Sequence, residues 1–370
     1  MSKEASKSVL YEALRFSLGG WRLSILPLVA AAVALDVLGG YPVLAFSISA
    51  LALVPLAGLL GQATQELAEH VGPAAGGLLN ATLGNFAELI IGVLALQRGD
   101  IEVVKASITG SIIGNLLLVF GLAAFVGGLG REKLGFSSVA MGANTSMLFL
   151  AVVALVMPAI FQLSVFGSLH ARGFRIEHLS FGVAGVLLVS YAASLVFMLN
   201  THRFLFRAEM DGRPALSKGA ALAVLVGVAV LVAAASEILV GQIEAVTSAL
   251  GWTQLFVGVV VVATVGNAAE HSTAILAARS GRMDLALHIA VGSSTQIALF
   301  VAPLLVLLST AFSAPMSLVF HPLEIAAVIL SVGAVAVVAM DGETNWLEGL
   351  QLLGVYAILA VFFYVLPAPR

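Results

Sequence analysis

The chain has 370 residues, of which 60% are hydrophobic and only 10% are charged, and its mean hydropathy is +1.08. Soluble domains carry about 25% charged residues, so this composition excludes an ordinary soluble protein and indicates one whose solvent is mostly lipid. The net charge of −3 gives no basic excess for binding nucleic acid. Cysteine is absent, which excludes disulfides, thiolate metal sites and thiol nucleophiles.

Apolar segments long enough to cross a bilayer follow one another along almost the whole chain. A transmembrane helix needs about 20 mainly apolar residues. We therefore predict an all-α polytopic membrane protein with about eleven transmembrane helices. Their approximate ranges are 23–39, 42–62, 75–97, 101–127, 138–160, 178–200, 219–245, 252–278, 284–309, 323–340 and 346–366.

The longest polar break, Asn200 to Lys218, divides the chain near its middle. The predicted parts are an N-terminal tail with the first helix (1–40), a first five-helix repeat (41–200), a central cytoplasmic loop (201–218) and a second five-helix repeat (219–370). Because each repeat holds an odd number of helices, the second repeat enters the membrane with inverted topology.

The basic residues indicate an orientation. With the N-terminus in the cytoplasm, 12 of the 17 Lys and Arg residues fall on the inner side and five on the outer side. This distribution satisfies the positive-inside rule. We predict an uncleaved integral protein of a prokaryotic cytoplasmic (inner) membrane, with the N-terminus in the cytoplasm and the C-terminus outside. The sequence leaves a homo-oligomer open.

One motif, Gly-Asn-x-x-Glu, occurs twice inside the apolar spans. The first copy is Gly84-Asn85-Phe86-Ala87-Glu88, and 182 residues later comes Gly266-Asn267-Ala268-Ala269-Glu270. Segments 81–111 and 263–293 share 11 identities in 31 positions without a gap. A charged side chain in hydrocarbon costs roughly 2.5–3.5 kcal/mol or more, so each glutamate is a functional candidate. Their symmetric placement indicates a transporter built from internal repeats.

The residue types around the motifs suit a hard cation. Asn and Glu three residues apart share one face of a helix, and the preceding glycine allows the helix to break and present carbonyl oxygens. Ca²⁺ takes 6–8 such oxygen ligands in flexible geometry. Two glutamates neutralise one divalent cation, and two protons neutralise the same pair. Competition between Ca²⁺ and H⁺ for one site therefore produces exchange.

The predicted ion ligands come from both motifs and from the helix that follows each of them. They are Glu88, Glu270, Asn85, Asn267, Gly84, Gly266, Ser111, Ser293, Asn115 and Gln296. Tight helix packing is an equal alternative for the two serines. Proton coupling is assigned to Glu88, Glu270 and His271, with a plain interhelical hydrogen bond as the alternative for the histidine.

Three further acids are predicted along the ion path. They are Glu66, Glu237 and Glu244, and for Glu66 a solvated helix end is the competing interpretation. No cofactor is predicted. The partners are Ca²⁺ and H⁺ as substrates and the lipid bilayer.

The two motif regions resemble the Ca²⁺/H⁺ antiporters of the cation/proton exchanger (CAX) family, within the Ca²⁺/cation antiporter superfamily. The resemblance is carried by residues 79–91 with 104–111 and by residues 266–271 with 292–298. It implies eleven helices in two inverted repeats, Ca²⁺ held by Glu88 and Glu270 at the midplane, and sliding of helices 42–70 and 219–245. Two features differ from the family. Many relatives carry an acidic stretch in the central loop, where this chain has few acidic residues, and relatives usually have a small residue at the position of Phe86.

Motif and resemblance together predict a secondary active antiporter that exports cytoplasmic Ca²⁺ in exchange for protons by alternating access. The alternative within transport is a Na⁺(K⁺)/H⁺ or Na⁺/Ca²⁺ exchanger of the same superfamily, and a passive cation channel ranks below it. An enzyme is not expected, since the His-Glu-x-x-His and Gly-x-Ser-x-Gly motifs do not occur.

Overall fold

The computed structural model describes residues 25–167, 174–202, 214–312 and 315–367, together with Val9, Glu12 and Phe16. Most of the predicted N-terminal tail and of the central loop 201–218 lies outside these residues. The part of the chain that is described is almost entirely helical. The predicted class, an all-α polytopic membrane protein, is confirmed.

The chain forms seventeen α-helices and one two-stranded sheet within the described ranges. The helices are α1 (Ile25–Leu38), α2 (Pro42–Val71), α3 (Pro73–Leu83), α4 (Phe86–Arg98), α5 (Ile101–Ile113), α6 (Phe120–Gly128), α7 (Ser138–Phe166), α8 (Phe174–Val196), α9 (Lys218–Gly241), α10 (Ile243–Leu250), α11 (Gln254–Phe256), α12 (Ala263–Gly266), α13 (Ala268–Arg279), α14 (Met283–Gln296), α15 (Ala302–Leu308), α16 (Pro322–Val338) and α17 (Trp346–Val365). The strands are β1 (Leu134–Gly135) and β2 (Glu343–Thr344), which pair antiparallel.

Several helices continue through wider π-helical turns. These segments are Gly114–Val119, Phe197–Thr201, Val257–Val262 and Ile297–Val301, and a 3₁₀ turn follows at Ser309–Ala311. Runs of π-helix are rare and often occur at functional sites. Two of them, Gly114–Val119 and Ile297–Val301, come directly after α5 and α14, the helices that follow the two motifs.

Seven helical stretches of the described chain are long and apolar enough to cross a membrane. They are Pro42–Val71, Ile101–Gly128, Ser138–Phe166, Ile176–Thr201, Lys218–Gly241, Met283–Ala311 and Trp346–Val365. Helices α1 and α16 are apolar but shorter. The predicted span 75–97 is a broken one, since Ala75–Leu83 and Phe86–Arg98 meet at 41°. The predicted span 219–245 ends earlier, because α9 stops at Gly241 and α10 begins at Ile243. The number eleven stays a prediction.

The chain divides into two compact units, and each of them draws residues from both sides of the central loop. Unit 1 comprises residues 1–94 and 197–252, and unit 2 comprises residues 95–196 and 253–370. In unit 1, α2 packs against α1, α3 and α9. The start of α9 is held by α2, because the Glu66 carboxylate accepts the Leu216 amide (3.0 Å) and the His70 ring binds the Leu216 carbonyl (2.7 Å).

In unit 2, two glycines allow α5 to lie against the segment Val257–Val262. A Cβ on Gly110 would clash with the carbonyl oxygen and Cα of Val259, and one on Gly258 would clash with Ala106 Cβ. Glycine is needed here for close backbone approach rather than for its dihedral freedom. The contact places α5 beside the helix that leads into the second motif.

We expect Gly110→Ala to destabilise unit 2 by about 1–3 kcal/mol, because the added methyl group meets backbone that cannot move aside easily. The matched control is Gly114→Ala, on the same helical stretch, where nothing lies within 4 Å of the added atom. Thermal unfolding of both variants in detergent measures the difference. Equal melting temperatures for the two variants would contradict the close packing.

Loops at one end of unit 2 are tied together by polar contacts. Arg131 donates to the carbonyl oxygens of Gly127 (2.9 Å), Ala278 (3.1 Å) and Arg279 (2.9 Å), so it caps the C-terminal ends of α6 and α13. Lys133 pairs with Glu343 across the small sheet at 2.7 Å, and this carboxylate raises the pKa of Lys133. An exposed pair of this kind adds little stability, so the sheet and Arg131 carry the connection.

Candidate functional site

Both motif copies lie at a break in their helix, as the glycines predict. In the first copy α3 ends at Leu83, Gly84 and Asn85 form a turn, and α4 begins at Phe86. In the second copy α12 ends at Gly266, and Asn267 (φ −89°, ψ 7°) separates it from α13. Each glutamate therefore lies in the first turn of a new helix.

The second motif and the helices beside it form a cluster of polar side chains within unit 2. Asn115 is at its centre, in the π-helical segment after α5. Its Nδ2 donates toward Ser293 Oγ (3.0 Å), Asn267 Oδ1 (3.1 Å) and Glu270 Oε2 (3.3 Å). An amide nitrogen has two hydrogens, so these three acceptors share them. One side chain thus joins α13, α14 and the motif asparagine.

Asn267 extends the cluster to α5. Its Nδ2 donates to Ser111 Oγ (2.8 Å) and to the Ala263 carbonyl oxygen (2.7 Å). Asn115 and Asn267 are 0% and 1% exposed, and Ser111 and Ser293 are also buried. Such a buried network is expensive unless its groups are hydrogen-bonded, and here the donors have acceptors. The geometry brings five predicted residues together: Asn115, Asn267, Glu270, Ser111 and Ser293.

The amide orientation of Asn115 follows from its neighbours. If the amide were flipped, its oxygen would face the Asn267 oxygen and the Glu270 carboxylate, which repel it. In the orientation shown, Oδ1 is buried and has no hydrogen-bond partner among the described residues. A half-turn of this amide would place Oδ1 beside the carboxylate and remove the N–H donors.

The first motif lies in unit 1, and its polar side chains are also withdrawn from solvent. Asn85 is 1% exposed and Glu88 is half-buried, whereas Gly84 is exposed. Gln296, the last residue of α14, is half-buried in unit 2. His271 follows Glu270, and its Nε2 is buried without a hydrogen-bond partner in the described part of the chain. The roles of these residues stay predictions.

The three acids assigned to the ion path all belong to unit 1. Glu66 is half-buried and binds the Leu216 amide. Glu237 and Glu244 are exposed, and they lie on different helices, α9 and α10, because the helix breaks at Gln242 within the predicted span 219–245. Gln242 instead donates through Nε2 to Asp36 (2.8 Å).

A second buried polar cluster in unit 2 was not predicted. It consists of Lys105 and Thr109 of α5 with Glu324 in the first turn of α16. Glu324 is an acid in an otherwise apolar predicted span, 323–340, and that is the signal that could have revealed it. Lys105 is one of the five basic residues counted on the outer side, and its position near the end of a predicted span does not distinguish a buried ammonium from an exposed one.

Broken helices that carry carboxylates, amides and hydroxyls within an apolar helical membrane protein define a transporter of ions. The family model "Sodium/calcium exchanger protein" matches residues 41–200 and 220–365, and the chain belongs to this family.

Individual relatives agree with the family assignment. The chain is 45% identical over 345 residues to a Ca²⁺/H⁺ antiporter of Synechocystis sp., covering 87% of this chain and 91% of the relative. It is 41% identical over 350 residues to the Ca²⁺/H⁺ antiporter ChaA of Bacillus subtilis, covering 92% and 98%. The solved structure of native YfkE superposes with a TM-score of 0.79 at 39% identity, covering 92% of this chain and 100% of that one.

Proposed function

We propose that this protein is a secondary active antiporter that exports cytoplasmic Ca²⁺ in exchange for protons. The observation that carries the proposal is the Asn115 cluster, in which a motif carboxylate is surrounded by amide and hydroxyl oxygens inside an apolar unit. Such a donor set suits Ca²⁺, which accepts neutral oxygen ligands besides carboxylates. The names of the 41–45% identical relatives support the same substrates.

The two motif carboxylates couple Ca²⁺ movement to proton movement. We infer from the repeat that Glu88 serves the first half as Glu270 serves the second. Two carboxylates carry two negative charges, which one Ca²⁺ or two protons neutralise. A cation and protons cannot occupy the same carboxylate oxygens together, so one must leave before the other binds. Alternating access then converts the proton gradient into Ca²⁺ movement.

The asparagine amides determine how the site changes when Ca²⁺ binds. In the structure, Asn115 donates to Glu270, a contact that stabilises the ionised carboxylate. When Ca²⁺ arrives, the Asn115 amide turns and its unpartnered Oδ1 becomes a ligand. Ser111 and Ser293 have hydroxyls that rotate, so they can donate in one state and accept a cation in the other. The first motif is assigned the matching role through Asn85 and Gln296.

The remaining assignments rest on the sequence, and the membrane orientation rests on the distribution of the basic residues. We place the protein in a prokaryotic inner membrane with the N-terminus in the cytoplasm and the C-terminus outside. Proton coupling includes His271 beside Glu270, and Glu66, Glu237 and Glu244 line the ion path. The backbone at Gly84 and Gly266 contributes carbonyl oxygens where the helices break.

The test is ⁴⁵Ca²⁺ uptake by the purified chain in liposomes with a preset pH gradient and no Na⁺. We expect uptake to be accompanied by proton efflux and to become faster as the lumen is made more acidic than the medium. Uptake that requires a Na⁺ gradient would favour a Na⁺/Ca²⁺ exchanger instead. Uptake that ignores the pH gradient and needs only a Ca²⁺ gradient would favour a channel.

A further inference from the structure

The buried cluster around Glu324 is separate from the motif cluster but shares helix α5 with it. Glu324 is 1% exposed and Thr109 is 0% exposed. Thr109 Oγ1 and Glu324 Oε1 are 2.6 Å apart, and Glu324 Oε2 accepts the His321 amide at 2.9 Å. Both carboxyl oxygens therefore have hydrogen-bond partners, although the two side chains are buried.

The hydroxyl of Thr109 can bond in two ways. Besides Glu324, it lies 3.1 Å from the Lys105 carbonyl oxygen and 3.2 Å from that of Ala106. A hydroxyl has one hydrogen and can also accept. If Glu324 is ionised, Thr109 donates to it. If Glu324 is protonated, its Oε1–H donates to Thr109 and the threonine hydrogen turns to the carbonyl oxygen of its own helix. Neither state leaves a buried polar group without a partner.

A plain helix cap does not need this second partner. Glu348 makes the same capping box at the start of α17, accepting the Asn345 amide at 3.3 Å, and its side chain is half-exposed. This half-exposed side chain can be solvated at its other oxygen. Glu324 makes the cap and, in addition, a switchable bond to a neighbouring helix.

The charged groups acting on Glu324 are Lys105 and Glu102 of α5. Lys105 is 8% exposed, and its Nζ donates to the Val319 carbonyl oxygen at 2.6 Å and to Ser317 Oγ at 3.4 Å. Glu102 and the capping His321 are exposed. Of the other elements packed against α16, α7 and the segment Gly114–Val119 contain no titratable residue, and α17 contains Glu348, Tyr356 and Tyr364. Glu348 lies near the opposite end of α16, and the tyrosines contact Thr264 and Phe256.

We propose that Glu324 is a second proton-binding carboxyl of this protein, separate from the motif glutamates, and that Thr109 exchanges hydrogen-bond partners when the proton binds. The carboxyl group is enclosed between α5 and α16, with Thr109 at one of its oxygens and the His321 amide at the other. The exchange of hydrogen-bond partners at Thr109 transmits proton binding to α5, which carries Ser111 and leads directly to Asn115.

The test is infrared difference spectroscopy of the reconstituted chain between alkaline and acidic pH, in the carbonyl region of protonated carboxyl groups. The background is the Glu88→Gln/Glu270→Gln double variant, so that the motif carboxyls are silent and no transport is required. We expect a band that appears on acidification in this background, that Glu324→Gln removes, and that the matched control Glu348→Gln preserves. This measurement does not depend on whether the protein exchanges Ca²⁺ for protons.

The Thr109 variants test the switch. Thr109→Ser keeps the hydroxyl and should leave the band in place. Thr109→Val removes the hydroxyl and should move the band to higher wavenumber, because the protonated carboxyl group loses its hydrogen-bond acceptor. The Thr109 variants also test proton binding at Glu324 if Glu324→Gln fails to fold. A spectrum without a band that depends on Glu324 or Thr109 would overturn the proposal, whatever the transport activity.

Discussion

Replacing Glu270 by glutamine should reduce proton-driven Ca²⁺ uptake by at least about 100-fold. Glutamine keeps the size and one carbonyl oxygen of the side chain but removes a charge. A Ca²⁺ ion held by a single carboxylate in an apolar unit keeps an uncompensated charge, at a cost of several kcal/mol. About 3 kcal/mol already corresponds to roughly a 100-fold loss of affinity. Glu88→Gln should have the same effect, because the repeat assigns both glutamates the same role.

The measurement is the initial rate of ⁴⁵Ca²⁺ uptake at a fixed pH gradient, with equal amounts of folded protein in the liposomes. The control is Glu348→Gln, the same substitution at the half-exposed capping glutamate of α17, which should transport at nearly the wild-type rate. A Glu270→Gln protein that still exchanges Ca²⁺ for protons would remove this residue from the mechanism.

The second large effect is expected at Asn115. Asn115→Leu keeps the number of side-chain heavy atoms but deprives Asn267, Glu270 and Ser293 of a shared donor, and it removes the proposed Oδ1 ligand. Each buried group left without a partner costs about 1–3 kcal/mol, and loss of a group that orients metal ligands typically weakens binding about 10–100-fold. We expect the KM for Ca²⁺ to rise by about that factor.

The Asn115 prediction is checked by the Ca²⁺ dependence of uptake at one pH gradient. Asn200→Leu is the control, because this asparagine is exposed in the segment Phe197–Thr201. It should leave KM unchanged. If Asn115→Leu transported with a wild-type KM, the cluster would be a packing contact rather than part of the ion site.

Much of this arrangement could be predicted from the sequence, because the motif repeats without a gap and each part has a direct physical meaning. The glycines at positions 84 and 266 predicted the helix breaks, and the hard oxygen donors predicted which side chains gather around Glu270. Ser111 and Asn115, predicted as ligands on the helix after the first motif, both contact the second motif.

Other features depend on tertiary packing and have no periodic signal. The π-helical turns after α5 and α14 preserve the apolar composition of a normal span, so hydropathy cannot reveal them. The offset of 182 residues pairs Asn115 with Ile297, so symmetry alone does not identify the centre of the cluster. The burial of Glu324 depends on how α16 packs against α5, which one sequence without contacts does not specify.

The most direct test of the central claim, that Ca²⁺ and protons compete for the motif glutamates, is a count of protons released when Ca²⁺ binds to the purified protein in weakly buffered detergent solution. We predict proton release that saturates with Ca²⁺ and disappears in the Glu88→Gln/Glu270→Gln variant. Saturable Ca²⁺ binding without any proton release, across the pH range in which exchange occurs, would contradict it.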